Sequence, residues 1–335
     1  MTKKLKVAVL GATGAVGQEF LKLLRERKFP IEEMRLLASG RSAGKQIGFM
    51  EKNYSVEEAS PVSFQGLDLV LSSAGGAISR ELAPHIVKAG ALMVDNTSAF
   101  RMDPEIPLVV PEINPEDIAK HKGIIANPNC STIIMLVPLF PIHKVAKIKR
   151  IVVATYQAAS GAGAKAMEEL KIQAQDFLAG RPVKKQVLPH QIAFNVFSHN
   201  SKIGPDGYCE EETKMVKETQ KIFHDTEIRV TATCVRVPVL RAHSEALFIE
   251  TEKKISVDEA RKLLSKAPGV RVIDDREKNY FPMPLEATGQ DDILVGRLRE
   301  DATVTNGLSM FVSGDQIRKG AALNAIQIAE LAFRV

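Results

Sequence analysis

The sequence predicts an α/β protein of two domains, a parallel-sheet domain followed by an α+β domain with an open mixed sheet. Two observations carry this prediction. Up to residue 128, short apolar strands alternate with helical segments and are joined by short glycine turns, which is typical of a parallel sheet with right-handed crossovers. Beyond residue 128, the strands alternate polar with apolar residues and are grouped between helices.

The parallel-sheet domain begins with a buried strand at 7–10, a glycine turn and an amphipathic helix. Val16, Phe20 and Leu24 lie at helical spacing on one face of that helix. Further strands are predicted at 34–38, 68–72, 92–95 and 124–126, and a second helix at 79–88.

The α+β domain begins with a helix at Cys130. Its other helices are predicted at 163–178 and 210–223, its strands at 150–155, 228–237, 245–250, 292–299 and 308–312, and a last helix of the chain at 315–333. One face of such a mixed sheet stays open, which makes it a candidate dimer surface.

The composition is typical of a globular protein and excludes several classes of partner. Of 335 residues, 45% are hydrophobic and 25% are charged, and the formal charge of +5 gives only mild attraction for acidic ligands. Neither a dense basic tract nor Trp is present for binding nucleic acid, and no apolar run is long enough for a membrane span. The three cysteines lack CxxC spacing, which predicts no metal site and a reducing, cytoplasmic location.

Gly11, Gly14 and Gly17 form a G-x-x-G-x-x-G turn between the first strand and the first helix. Glycines let the backbone approach a pyrophosphate, and the start of the following helix carries partial positive charge. The spacing departs from the commoner G-x-G-x-x-G, and a tight turn without a ligand is the alternative. The strand–turn–helix setting favours a Rossmann-like dinucleotide site.

The end of the second strand distinguishes NADP from NAD. An NAD site commonly places an acidic residue there to hold the ribose 2′-hydroxyl, but this strand is followed by Ser39, Gly40, Arg41 and Ser42. Arg41 and the hydroxyl of Ser42 suit a 2′-phosphate, so the sequence favours NADP. A solvated loop arginine is the alternative.

Cys130 lies in a turn directly before the apolar segment 133–137. A thiol at a helix start faces unpaired N–H groups and the positive end of the helix dipole, and both favour the thiolate. Cys209 and Cys234 are instead typical of buried, small hydrophobic residues. A nucleophilic thiol together with a dinucleotide site predicts aldehyde-level redox chemistry through a thioester.

A cysteine nucleophile needs a base, and His243 is the best local candidate among the seven histidines. It lies in a turn between two predicted strands, near Arg236 and Arg241. Nearby positive charge keeps a histidine neutral and able to accept a proton. The sequence alone does not place His243 beside Cys130.

Six segments carry a resemblance to a known family: 11–17, 96–101, 128–132, 156–163, 211–214 and 236–246. In order and chemistry, and over essentially the whole chain, they resemble the bacterial type of aspartate-β-semialdehyde dehydrogenase. The resemblance implies that NADPH reduces L-aspartyl 4-phosphate to L-aspartate 4-semialdehyde, with release of phosphate. This reaction belongs to the biosynthesis of lysine and diaminopimelate, threonine and methionine.

The resemblance also implies roles for particular residues. Cys130 attacks the acyl phosphate to form a thioester, His243 acts as general acid and base, and Gln157 orients the substrate beside the thiol. A polar cap on a strand end is the alternative for Gln157. The thioester is reduced to a thiohemiacetal, which collapses to the aldehyde.

The charged groups of the substrate need partners, and the resemblance implies which residues supply them. Arg236 binds the α-carboxylate and Glu211 the amino group, while Arg101 and Lys214 bind the phosphate. Glu211 and Lys214 are three residues apart on one predicted helix, so a surface ion pair is the alternative for them.

The cofactor residues implied by the resemblance come from both domains. They are Thr13, Gly14, Ala15 and Val16 for the pyrophosphate, Arg41 and Ser42 for the 2′-phosphate, Ala74 and Gly75 beside the adenine, Ser160 and Gly161 beside the nicotinamide, and Gln316 at its carboxamide. Ser313 and Gln316 also form a possible capping box for the last helix, which is the alternative role of Gln316.

In the family, the last helix completes the nucleotide domain. The resemblance therefore implies an NADP-binding domain at 1–128 and 313–335 and a catalytic and dimerisation domain at 129–312, which pairs with a second copy in a homodimer.

Three other functions compete with this one. An N-acetyl-γ-glutamyl-phosphate reductase shares the thioester chemistry, but its acylated substrate nitrogen would leave Glu211 without a cationic partner. A non-catalytic NADP-binding regulatory protein predicts a gap in the catalytic set, and none is apparent. A scaffold that only keeps the fold predicts no cofactor binding.

Overall fold

A computed structural model describes residues 3–335 and divides the chain into two compact units. The first unit ends at Asn129 and also includes Ala321–Val335, and the second is Cys130–Gly320. Met1 and Thr2, part of the predicted NADP-binding domain, lie outside the described residues.

The first unit is built on a sheet that is parallel except at one edge. Its elements are β1 (Leu5–Leu10), α1 (Ala15–Glu26), β2 (Ile31–Ala38), β3 (Gln46–Phe49), β4 (Lys52–Glu58), β5 (Leu69–Ser72), α2 (Gly76–Lys88), β6 (Leu92–Asp95) and β7 (Ile124–Ala126). The strand order is β3-β4-β2-β1-β5-β6-β7, and only β3 pairs antiparallel, with β4. The predicted parallel sheet is confirmed. The β3–β4 hairpin has no counterpart in the predicted elements.

β1 lies at the centre of this sheet because almost its whole length is apolar. Val7 and Val9 point to the core on one face and Ala8 and Leu10 to the core on the other, and all four are fully buried. β1 pairs in parallel with β2 and β5, so the carboxyl ends of these three strands lie at one edge of the sheet, where Gly11 follows Leu10. Ligands of open parallel sheets bind at this edge.

The second unit is built on a mixed sheet with helices packed against it. Its elements are α3 (Cys130–Ala146), β8 (Ile148–Gln157), α4 (Ala164–Leu178), β9 (Phe197–Ser198), α5 (Glu210–Phe223), β10 (Arg229–Arg236), β11 (His243–Thr251), α6 (Val257–Leu264), β12 (Val270–Val272), α7 (Pro284–Ala287), β13 (Ile293–Asp301) and β14 (Gly307–Gly314). The strand order is β12-β13-β14-β11-β8-β10-β9. This sheet confirms the predicted α+β arrangement.

The two faces of the mixed sheet differ in burial. On β8, Val153, Thr155 and Gln157 are buried, whereas Tyr156 between them is 40% exposed. α3 packs against β8, β11, β13 and β14, and α5 packs against β10. The face that carries Tyr156 is therefore the more open one, as the alternation in sequence predicts.

The last helix begins later than predicted. A π-helical turn at Arg318–Ala322 leads into α8 (Leu323–Phe333), so an α-helix from residue 315 is wrong. The carboxylate of Asp315 accepts the backbone N–H groups of Ile317 and Arg318 at 3.0 and 3.1 Å, which holds this segment in a turn.

α8 itself belongs to the first unit. Its side chains Leu323, Ile326 and Ile328 join the core of β1, β2 and β5, and Glu330 pairs with both Nε and Nη2 of Arg27, the C-cap of α1, at 2.6 and 2.7 Å. Residues 313–320 lie in the second unit, so the division differs from the predicted bound at 312. The assignment of functions to the two domains stays a prediction.

Among residues 3–335, no helix combines the length and the apolar character that crossing a bilayer requires.

Candidate active site

The glycine turn after β1 is closed too tightly for side chains. A Cβ added at Gly17 would lie 2.2 Å from the carbonyl oxygen of Gly11, and one added at Gly11 would lie 2.7 Å from that of Ser73. Gly11 also has φ +91°, which favours glycine. This packing sets the turn against the segment that follows β5.

The start of α1 offers a site for an anion. Gly14 is its N-cap and supplies no side chain to the first-turn N–H groups, and the first turn holds no acidic residue. Thr13 and Gly14 are exposed, and Ala15 and Val16 are half-buried. These residues are the ones predicted for a pyrophosphate, and their binding role stays a prediction.

The residues predicted for the 2′-phosphate lie beside this turn. Arg41 and Ser42 form a short 3-10 helix after β2, and the Thr13 hydroxyl donates to Ser42 Oγ at 3.3 Å. Arg41 is exposed. The carboxylate of Glu58, at the end of β4, also lies against this loop. Glu58 pairs with Ala38 in the sheet, and its Oε1 lies 2.7 Å from the position that a Cβ on Gly40 would take.

Ala74 and Gly75 complete the same edge of the sheet. They follow β5, the neighbour of β1, and Gly75 is the N-cap of α2 with φ +97°. Gly75 is exposed and Ala74 is half-buried. The first unit therefore brings together the pyrophosphate, 2′-phosphate and adenine residues that the sequence predicts.

Arg101, predicted to bind phosphate, also belongs to the first unit. It is buried, and it donates from Nε to the carbonyl of Asn127 at 2.9 Å and from Nη2 to that of Asn96 at 3.0 Å. These two backbone carbonyls help to fix the orientation of the guanidinium.

In the second unit, Cys130 is the first residue of α3. The thiol therefore belongs to a helix start, where the dipole favours an anion. Cys130 is half-buried, and a Cβ added at Gly320 would lie 3.0 Å from the Cys130 Cβ and 3.4 Å from the Gln316 Cβ. The π-helical turn therefore packs its glycine directly against the cysteine.

A buried chain of polar contacts starts at the residue after the cysteine. Gln157 Nε2 donates to Ser131 Oγ at 2.6 Å and to Glu211 Oε1 at 3.3 Å. Lys214 Nζ donates to Glu211 Oε2 at 3.2 Å. The spacing on the helix does produce an ion pair, but its carboxylate is buried while the Lys214 side chain is partly exposed, so it is not an ordinary surface pair. Gln157 Oε1 has no partner among the described residues.

His243 opens β11 and is fully buried. Its Nδ1 accepts the backbone N–H of Ala158 at 3.0 Å, so the neutral ring carries its hydrogen on Nε2. Burial, and then the charge of Arg236, lowers the pKa of His243 to about 3. The ring is therefore neutral at physiological pH, and it presents a donor at Nε2.

Arg236 ends β10 and is also buried. Its Nη1 donates to the carbonyl of Ala158 at 3.2 Å. A Cβ added at Gly161 would lie 2.8 Å from Arg236 Nη1 and 3.0 Å from His243 Nε2. The guanidinium and the imidazole therefore approach one exposed stretch of backbone, and only glycine leaves them room there.

Gln316 does not cap a helix. Its Nε2 donates to Ser160 Oγ, its Oε1 accepts the N–H of Ala242 at 2.9 Å, and Ser313 Oγ instead bonds Ser244 Oγ at 2.7 Å. The predicted capping box of Ser313 and Gln316 is therefore wrong, because the Ser313 side chain joins β14 to β11 and the Gln316 side chain joins the residue before β11 to Ser160.

The second unit therefore gathers most of the residues predicted for substrate and nicotinamide. Two neighbours were not predicted. Ser131 contacts Gln157, and its position next to Cys130 is a clue that the sequence does offer. His199 contacts Arg236 at 2.8 Å, but the two are distant in sequence and no motif joins them.

Family models match both halves of the chain. Residues 6–121 match "Semialdehyde dehydrogenase, NAD binding domain", and residues 139–319 match "Semialdehyde dehydrogenase, dimerisation domain". An aspartate-semialdehyde dehydrogenase of Synechocystis sp. is 59% identical over 331 residues, which cover 99% of this chain and 98% of that protein.

Solved structures are similar over the same length. Aspartate semialdehyde dehydrogenase II of Vibrio cholerae, complexed with ASA, has a TM-score of 0.97 and 45% identity, covering 99% of each chain. Aspartate semialdehyde dehydrogenase with NADP from Candida albicans has a TM-score of 0.76 and 27% identity, again covering 99% of each chain.

Proposed function

The chain belongs to the aspartate-semialdehyde dehydrogenase family, and we propose that it reduces L-aspartyl 4-phosphate to L-aspartate 4-semialdehyde with NADPH through a thioester on Cys130. The oxidoreductase activity is that of the family. The observation that carries the assignment of residues is the chain of contacts from Ser131, next to Cys130, through Gln157 to Glu211.

The first step is attack of the Cys130 thiolate on the acyl carbon. A carbon–sulfur bond forms, the carbon–oxygen bond to phosphate breaks, and inorganic phosphate leaves. The start of α3 stabilises the thiolate, and Gln157, held by Ser131 and Glu211, orients the acyl group.

The second step reduces the thioester. NADPH supplies the hydride to the acyl carbon. His243 donates a hydrogen bond from Nε2 to the oxygen that becomes negative, and the thiohemiacetal anion then collapses: the carbon–oxygen double bond re-forms, the carbon–sulfur bond breaks, and the aldehyde and the Cys130 thiolate are released. The neutral ring is suited to this donation because it starts without a charge of its own.

The substrate's charged groups have partners of opposite sign in this proposal. Arg236 binds the α-carboxylate and Glu211 the ammonium group, while Arg101 and Lys214 bind phosphate. Burial of Arg236 and Glu211 supports these roles, because a desolvated ligand charge requires a partner. An acylated nitrogen would leave Glu211 without a cationic ligand, and the relatives named above do not favour an N-acetyl-γ-glutamyl-phosphate reductase.

The first unit fits a nicotinamide dinucleotide. The closed turn at Gly11 and Gly17 and the uncapped start of α1 suit a pyrophosphate, and Arg41 with Ser42 suits a 2′-phosphate. We assign NADP on this basis, with Ala74 and Gly75 beside the adenine. Ser160, Gly161 and Gln316 form the nicotinamide side of the site.

We further propose a cytoplasmic homodimer that pairs through the open face of the mixed sheet. The match of residues 139–319 to a dimerisation domain supports this assembly. The exposed ring of Tyr156 supports it as well. The centroid of this ring lies 6.1 Å from that of Phe311, on β14 of the same sheet. All three cysteines are in the reduced form, which suits a reducing compartment.

The test is the reverse assay, with aspartate semialdehyde, phosphate and NADP. Cys130→Ala is expected to lose about 10⁴-fold or more in kcat, because the nucleophile is gone, while NADP affinity by fluorescence titration is unchanged. Cys209→Ser is the matched control, since serine is also a good N-cap for α5. Retained turnover in Cys130→Ala would refute the thioester, and a preference for the N-acetyl-glutamyl substrate would refute the substrate.

A further inference from the structure

His199 lies against the guanidinium of Arg236, although no motif singles it out. Its Nε2 is 2.8 Å from Arg236 Nη2. The half-buried ring is fixed from its backbone as well, because the His199 N–H donates to the carbonyl of Cys234 at 2.8 Å on β10, the strand that ends with Arg236. β9 pairs with the same end of β10.

The contact defines what the imidazole does. An arginine only donates hydrogen bonds, so His199 Nε2 must accept from Nη2 and be unprotonated. A neutral ring then carries its hydrogen on Nδ1, which lies 3.0 Å from Ser201 Oγ, a group that can accept it, and 3.2 Å from the backbone nitrogen of Ser201. Ser201 Oγ also accepts the backbone N–H of Glu211 at 3.2 Å, which ties His199 to the start of α5.

Charges around the ring act in both directions. Arg236 on β10 and Lys214 on α5 disfavour a proton on His199, and Glu211 and Glu212 on α5 favour one. Burial is the largest influence, and with Arg236 it lowers the pKa of His199 to about 4. The nearby His243 on β11 is neutral as well.

Three contacts fix the guanidinium in one orientation. Besides His199, Arg236 donates from Nη1 to the carbonyl of Ala158 at 3.2 Å and from Nε to Asn200 Oδ1 at 3.4 Å. The Asn200 contact is long, so His199 gives the shortest contact. A guanidinium has five N–H groups, and the contacts among residues 3–335 leave two of them for a ligand.

We propose that His199 is a positioning residue for the reaction: its neutral imidazole holds Arg236 so that the two remaining N–H groups meet the α-carboxylate of the substrate. The proposal rests on the function proposed above. It makes His199 a determinant of selectivity for an α-carboxylate, acting only through Arg236. An arginine that rotates freely would lose the geometry of a planar, two-point contact with a carboxylate.

The experiment compares His199→Phe with His199→Gln in the reverse assay. Phenylalanine fills the space but accepts no hydrogen bond, whereas glutamine carries a side-chain oxygen that reaches about as far as Nε2. We expect His199→Phe to raise KM for aspartate semialdehyde about 10-fold, with kcat and the KM for phosphate nearly unchanged. We expect glutamine to restore KM to within about 3-fold of the parent. His190→Phe, at an exposed histidine, is the matched control.

A double-mutant cycle distinguishes positioning from a general structural effect. In an Arg236→Lys background, His199→Phe is expected to cost nothing further, because the planar group that it orients is gone. If the effects of Arg236→Lys and His199→Phe multiplied in the double variant, the proposal would be overturned. An equal fall in kcat for all substrates that glutamine does not rescue would also overturn it. If the parent enzyme has no activity on aspartate semialdehyde, the proposed function fails. If the parent is active and His199→Phe matches it, only the role of His199 fails.

Discussion

The two units present their predicted ligand sites in opposite ways. In the first unit, the site consists of backbone at an uncapped helix start and of exposed side chains such as Arg41. In the second unit, it consists of buried polar side chains, including Gln157, Arg236 and His243, each held by hydrogen bonds to neighbouring side chains or backbone. A ligand of the first site displaces solvent from exposed groups. A ligand of the second site must bind to side chains that already form hydrogen bonds within the protein.

This difference predicts where substitutions are costly. A buried network fixes positions closely, and losing one member leaves its partners without hydrogen bonds. An exposed cation is screened by solvent, and its loss is partly compensated. We therefore expect the largest effects in the second unit and the smallest at the rim of the first.

The largest of these effects is expected from His243→Asn. The asparagine side chain still accepts the Ala158 N–H, but it removes the Nε2 hydrogen that we assign to the reacting oxygen. We predict a fall in kcat of about 10²–10⁴-fold, measured in the reverse assay, with little change in NADP affinity. His243→Gln, which places a donor near Nε2, should lose less. Equal losses in the two variants would contradict a role for Nε2.

Gly161→Ala is expected to rank second. The added Cβ would lie within 3.0 Å of both Arg236 Nη1 and His243 Nε2, so one of these groups must move. Displacement by about 1 Å costs roughly 10²-fold in rate, and we predict that fall in kcat/KM for aspartate semialdehyde. Gly76→Ala on α2 is the control, because its Cβ would meet nothing closer than 3.8 Å. Normal kinetics in Gly161→Ala would show that the site is looser than the contacts indicate.

Local features of the site could be predicted from the sequence, whereas contacts between distant segments could not. The glycine turn, the start of α1 and the thiol at the start of α3 were predictable because each depends on neighbours within a few residues. The contact of His199 with Arg236 was not, since it arises only when β9 pairs with β10. The local sequence and the resemblance together supplied His243, and the resemblance supplied the role of Arg236, but neither supplied the residues that hold them.

The remaining differences have physical causes too. The β3–β4 hairpin escaped prediction because its strands are short and largely polar, and Glu58 arrives at the cofactor loop by pairing with β2. The last helix begins at Leu323 because Asp315 and Gln316 are engaged in tertiary contacts that a helical pattern does not reveal.

Acid should destabilise the fold, because a histidine that the fold keeps neutral takes up a proton more readily in the unfolded chain. The pKa of His199 is about 4 in the folded chain and about 6.5 when unfolded, so the unfolded chain binds the extra proton between these values. The contribution of His199 to stability is therefore complete above pH 6.5 and is lost as pH falls towards 4. We predict a loss of about 2 kcal/mol at pH 5 relative to pH 8 from this group.

The measurement is the free energy of urea unfolding, followed by circular dichroism at the two pH values. His199→Gln cannot take up the proton and should show a difference between pH 8 and pH 5 that is smaller by about 2 kcal/mol. His190→Gln, at an exposed position, should behave as the parent. An unchanged pH dependence in His199→Gln would mean that His199 is not held neutral by the fold.

The smallest effect is expected at the rim of the first unit, from Arg41→Ala. Because Arg41 is exposed, we predict a rise of about 10-fold in KM for NADPH, diminishing at high salt, with little change in KM for NADH. Glu58→Gln removes a negative charge next to the same loop and should move KM for NADPH in the opposite direction, because less repulsion acts on a 2′-phosphate. If Arg41→Ala raised both KM values equally, Arg41 would bind a phosphate shared by the two cofactors, and the preference for NADP would need another source.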